Sequence, residues 1–140
     1  MLRNAASIVF GVVSTFVTVM LIDKLNHMIY PPPPGLDFTD PAAVEPYLAT
    51  LPVGAFLLVM ASSVVAAFIG TLVAIYVGKI RPLYCAVIVG GIVLAATIAN
   101  FIAIPHPLWL SALTLLGIVA TTWLATKLAP ASRLTAMTDQ

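Results

Sequence analysis

Charge is what this chain has least of. Six basic and five acidic side chains serve 140 residues, 8% of the total, where a soluble domain takes about a quarter. A water-facing surface cannot be assembled from so few. Some 61% of the residues are hydrophobic and the mean hydropathy is +1.11, so lipid is the expected solvent and the length suits one domain. A net charge of +1 with no basic stripe leaves nothing to neutralise phosphates, which excludes nucleic acid as a partner. The single cysteine, Cys85, excludes an internal disulfide framework and reads as a small packing residue. Also missing are HExxH, GxSxG, a Walker lysine and Cys-x-x-Cys, so no enzyme signature is present.

What the chain does have is four long apolar runs. They predict transmembrane helices over 5–27, 53–77, 83–104 and 108–127, each near the roughly 20 residues a bilayer needs. The first run follows Arg3, but it is too long for a signal-peptide core and no small-x-small cleavage site follows it. Basic residues set the orientation. Arg3, Lys79, Arg81, Lys127 and Arg133 fall at the N-terminus, the second connection and the C-terminus, and Lys24 alone falls on the other side. That bias predicts both termini, including a tail over 128–140, in the cytoplasm. Tyr30, Tyr47 and Trp109 would then mark the outer interface, and Tyr76, Tyr84 and Trp123 the inner one. Short connections make the second, third and fourth spans antiparallel neighbours. The fold expected is an all-α, four-span antiparallel bundle with a proline-rich outer loop over 28–52.

That loop opens on "NHMIYPPPPGLDFTDP", which holds five of the eleven prolines. Pro31, Pro32, Pro33 and Pro34 favour polyproline II, a stiff spacer or, with Tyr30, a preformed docking surface. Asp40 before Pro41 reads as an N-cap with proline at the first helical position. Val44, Tyr47, Leu48 and Leu51 form one apolar stripe, expected to lie in the headgroups. Pro46 weakens a continuous helix and suggests a later start near it.

In lipid, helices associate where small residues let backbones approach. The second span carries Ser62, Ala66, Gly70, Ala74 and Gly78 at four-residue spacing, and the third carries Gly91, Ala95 and Ala99. Shorter sets occur in the first span (Ser7, Gly11, Thr15) and the fourth (Gly117, Thr121, Ala125). Packing within the bundle is the expectation, with an interface to another protein the alternative.

The polar candidates gather at the outer end. Asp23 and His27 share a face of the first helix, Asn100 lies a turn inside the end of the third span, and His106 sits in the turn after it. If the first and third spans are neighbours, these four form one cluster. It could hold a metal ion, a bis-histidine haem, a quinone, or a proton-handling site. The plainer reading is local: an Asp23–His27 pair in hydrated headgroups, a turn-capping His106, and Asn100 bonded across helices. No cofactor is expected outright. Transport lacks an ionisable group at the membrane midplane, so a pore would need an oligomer lined by Ser62, Ser63, Thr71 or Thr97.

"LNHMIYPPPPGLDFTDPAAVEPYLATLP" with the later "IANFIAIPHPLW" resembles a family of small bacterial inner-membrane proteins of about this length. The likeness covers nearly the whole chain. It implies a bacterial cytoplasmic membrane and one recurrent outer-face feature built from His27, the proline segment and His106, and it brings no catalytic residues. The function expected is therefore non-enzymatic: an accessory or structural subunit, self-associating or joined to other membrane subunits. A small transporter or channel is the alternative, and a redox subunit using His27 and His106 the third.

Overall fold

The computed structural model describes residues 2–78, 81–104 and 106–128. Lys79, Pro105, Arg133 and all of the expected 128–140 tail except Leu128 lie outside them. The described residues form five helices and no strand: α1 (Leu2–Ile29), α2 (Pro41–Thr50), α3 (Val53–Val77), α4 (Pro82–Ala103) and α5 (Leu108–Lys127). All but α2 are long and apolar enough to cross a membrane. Helix is what such runs must form, because lipid offers no partner for backbone N–H and C=O groups. This is a multi-pass, all-α membrane protein.

The chain threads up and down, so the two ends of the bundle differ. One, the loop end, carries residues 30–52 and the connection from α4 to α5. At the opposite, closed end α1 begins, α3 passes to α4 and α5 finishes. Helix α1 has 28 residues, roughly 42 Å at 1.5 Å per residue. That exceeds a hydrocarbon core of about 30 Å, so α1 extends past the core at one end or both, and Asp23 and His27 lie in its last two turns at the loop end.

Helix α3 is the hub. Its small-residue face, Ser62, Ala66, Gly70, Ala74 and Gly78, is buried and packs on α1. The approach is closest at Gly11 and Gly70: a methyl on Gly70 would lie 2.7 Å from the Gly11 carbonyl oxygen, and one on Gly11 2.6 Å from that of Gly70. Neither position has room for a side chain. Lower down, Gly78 meets Ser7 in the same way. Thr15 Oγ1 donates to its own helix at Gly11 (3.0 Å) and also lies 3.4 Å from the Ala66 carbonyl. On the other side of α3, Gly117 of α5 abuts Val64, and Thr121 Oγ1 donates to the Val64 carbonyl at 3.3 Å. A dry core of Ala74, Ile75, Cys85, Val89, Ile118 and Ala125 fills the closed half.

Helix α4 corrects one expectation. Gly91, Ala95 and Ala99 are exposed, and nothing lies within 4 Å of a methyl built on Gly91. The seam is one residue round the helix: Cys85, Ala86, Val89, Gly90, Val93 and Thr97 are buried, with Gly90 against Thr122 of α5. Small residues at four-residue spacing permit a close approach without saying which face takes it. Here the face that also carries the larger Val89 and Val93 wins, because it buries more.

The loop is more folded than a polyproline spacer. Leu36 N–H donates to the Pro33 carbonyl (3.2 Å) around Pro34 and Gly35. Gly35 has φ = 79°, the conformation that a turn with proline second and glycine third requires. Asp37 then accepts from the Thr39 amide (2.8 Å) and hydroxyl (2.7 Å), which holds its carboxyl below the usual carboxylate range. Asp40 caps α2, accepting from Ala42 N–H at 3.0 Å. The helix starts at Pro41 and runs through Pro46 without a break, so the expected later start is not seen.

Candidate functional site

Packing changes character halfway along α1. At Gly11 the helix meets α3 and also comes near Val89 of α4. A turn further on, Thr15 takes the glycine's place on the α3 seam, and from there α1 and α4 diverge, with Phe16 and Val19 lining the space between them. Helix α5 packs on α3 and α4 and does not fill the gap. The result is a cavity of about 380 Å³ with α1 and α4 as walls, α3 as floor and α2 as roof. It runs from Val12, Thr15, Ile92 and Val93 near mid-bundle up to Tyr30, Ile104 and His106 at the loop end. Phe16 is 56% exposed and Ile92 41%, and both line it. The cavity therefore opens sideways between α1 and α4, where lipid would be.

All four polar candidates from the sequence line this one cavity: Asp23, His27, Asn100 and His106. Asp23 is half-buried beside Ser62 of α3 and His27 of its own helix. The His27 ring meets Phe38 edge-on at 5.9 Å, and Phe101 tilts against His106 at 4.9 Å. His106 Nδ1 lies 2.6 Å from the Ile104 carbonyl oxygen. That contact needs the proton on Nδ1, so the neutral ring keeps Nε2 as an acceptor. Asn100 is exposed and its side chain bonds to no described residue. The expected bond from Asn100 across helices is thus absent among the described residues. Nor do three His, Cys, Asp or Glu side chains converge there as a metal ion requires. Asp23 and His27 on α1 and His106 beyond α4 line one cavity without sharing a centre among the described residues.

The apolar stripe on α2 turns inward. Val44, only 1% exposed, lines the cavity with Tyr47, Leu48 and Leu51, where the headgroups had been the expected destination. Tyr30 and Tyr47 follow it and are half-buried: Tyr47 donates its hydroxyl to the Tyr30 carbonyl at 3.3 Å and stands edge-on to Phe38 at 6.4 Å. Burial pushes the Tyr47 phenol up, so it remains a hydrogen-bond donor at neutral pH. Pro31, Pro33 and Pro34 are exposed on the far side of the roof.

No known protein family, curated protein or solved structure matches this chain. The site must therefore be read from its own residues. Sequence reasoning missed Asn26, which reaches from α1 to the Ala55 carbonyl (Nδ2 to O, 3.4 Å) and leaves its Oδ1 enclosed with no partner. Its spacing of three from Asp23 was the available signal. It also missed the aromatic share of the wall, Phe16, Phe38 and Phe101, for which no local pattern exists. Chemically the site is an apolar chamber with a polar upper level. Among the described residues Asp23 is its one carboxylate, and no lysine or arginine lines it.

Proposed function

We propose that the chain is a non-enzymatic accessory subunit of a bacterial cytoplasmic membrane, and that its outer half holds a small membrane-soluble molecule. The observation that carries this reading is the cavity: a volume of about 380 Å³ with a polar level above an apolar floor lies in the range of small-molecule sites. A side opening towards lipid suits a ligand that arrives through the bilayer. Transport finds less support, since Ile75, Cys85, Val89 and Ile118 are buried together in the closed half. The distribution of basic residues supports cytoplasmic termini, which puts the loop end outside. The resemblance of the proline loop and the Ile-Pro-His-Pro-Leu-Trp turn to small bacterial inner-membrane proteins supports the location. The open face at Gly91, Ala95 and Ala99 supports a place beside another helix in a larger assembly.

Native mass spectrometry of the full-length protein, extracted gently from its own membrane, tests this. The wild type should carry a bound small molecule, and Ser63→Phe, which grows into the cavity from α3, should lose it. A bare wild-type mass, or the same added mass on both proteins, would contradict the reading.

A further inference from the structure

The cavity's chemistry narrows the class of molecule, and this step rests on the ligand-holding reading above. Several of its hydroxyls already donate within the protein, Thr15 to Gly11, Tyr47 to Tyr30 and Ser62 to Val59, which leaves the Asp23 carboxylate and Nε2 of His106 as acceptors and the Asn100 amide able to give or take. A ligand head that donates hydrogen bonds satisfies these groups, and one that only accepts offers them nothing. With no lysine or arginine among the described residues of the wall, a phosphate or carboxylate head would meet the like charge of Asp23. The roof is apolar, with Val44, Leu48 and Leu51 of α2 over the site, so a fully charged head of either sign would also lose its water. A cation would pair with Asp23 only as a desolvated ion pair under that roof, where lost hydration offsets the attraction, so an uncharged donor head fits best. Aromatic rings flank it from three elements, Phe38 in the loop, Tyr47 on α2 and Phe101 on α4, as offset and edge contacts to a flat ring prefer. Below, the chamber is apolar and opens between Phe16 and Ile92, which leaves an exit for a long tail.

We infer that the cavity binds a membrane quinol: a flat, uncharged aromatic head whose hydroxyls donate to Asp23 and to Nε2 of His106, with its tail leaving between α1 and α4. The polar level sits within the last two turns of α1, which matches a head resting just below the outer interface. Lateral entry keeps the tail in hydrocarbon throughout, so binding costs it no exposure to water.

The test uses full-length protein in phosphatidylcholine nanodiscs, with decylubiquinol held reduced, its oxidised quinone, and the dimethyl ether of the quinol as probes. The three share shape and tail and differ in hydroxyl donors. The quinol should bind tighter than the ether by about tenfold or more, the scale of one hydrogen bond to a charged acceptor. Asp23→Asn should remove that preference. Should this variant fail to fold, Asn100→Leu, on the exposed wall, should weaken the quinol and leave the ether unchanged. Equal binding of quinol and ether would overturn the inference. So would no binding of any probe by protein that keeps a phospholipid mass when taken from its own membrane, and there the ligand-holding reading survives alone. Protein that holds no added mass and binds no probe sinks both.

Discussion

The two ends of this bundle are built from the same helices and solve opposite problems. At the closed end glycine faces glycine, α1 and α3 touch backbone to backbone, and the core is Ala74, Ile75, Cys85 and Val89. At the loop end α1 and α4 stand apart, and the gap is lined with two histidines, a carboxylate and two asparagines. Small residues remove space and so fix the helices. Large and polar residues keep space open and so leave a chamber. The difference teaches that in a chain this poor in charge the position of the few polar groups says less than the size of the side chains beneath them. Asp23 and Asn100 share a cavity at the end away from the Gly11 contact.

That contrast can be broken most severely at Gly70. Gly70→Val would drive a side chain into Thr15 and the Gly11 carbonyl, at a cost of about 3 kcal/mol, read as a large fall in the unfolding midpoint in mild detergent. Gly91→Ala is the matched control on an open face. It should leave stability unchanged or raise it by up to about 1 kcal/mol, the helix propensity difference. Equal losses for the two would erase the distinction between seam and open face.

The next effect is local. Among the described residues α2 is held by Val44, the Tyr47 hydroxyl bond and ring contacts to Phe38. Val44→Asp places a charge in the roof and should release α2 while α3 to α5 stay folded. Hydrogen exchange should then rise across 41–50 and nowhere else. A global loss of protection would show that the roof belongs to the core.

The smallest effect is a pH dependence of the turn before α2. Hydrogen bonds from Thr39 lower the Asp37 carboxyl in the folded loop. A lowered folded value means the stabilisation is present above the ordinary carboxylate range and lost as pH falls through the lowered value, below about 4. The protection of the Thr39 amide, relative to its intrinsic exchange at the same pH, should fall there, and Asp37→Asn should flatten the response. A wild-type profile already flat would remove the Asp37 turn from the account of the loop.

Much of the fold was legible because single causes governed it. Uninterrupted apolar runs have one stable form in lipid, and Asp40-Pro41 announces a helix start through its own side chain. The face of α3 was legible too, since five small residues in register outweigh anything else on that helix. What escaped depended on partners. The seam of α4 follows Val89 and Gly90 because α5 offers Thr122 there, and nothing in the sequence of α4 records that. The stripe of α2 was visible, but its destination was decided by a gap that α1 and α4 create far away in sequence. The four polar site residues were named from their common depth, while the aromatic wall had no sequence signature at all.

The most direct test of the two-ended account is to unfold Ser63→Phe and Ala74→Phe side by side in the same detergent. Both add a ring to α3, one facing the chamber and one in the fully buried closed half. The predicted result is a midpoint near wild type for Ser63→Phe and a fold lost or strongly weakened for Ala74→Phe. Equal tolerance, or equal damage, would contradict the claim that one end is packed shut and the other is open.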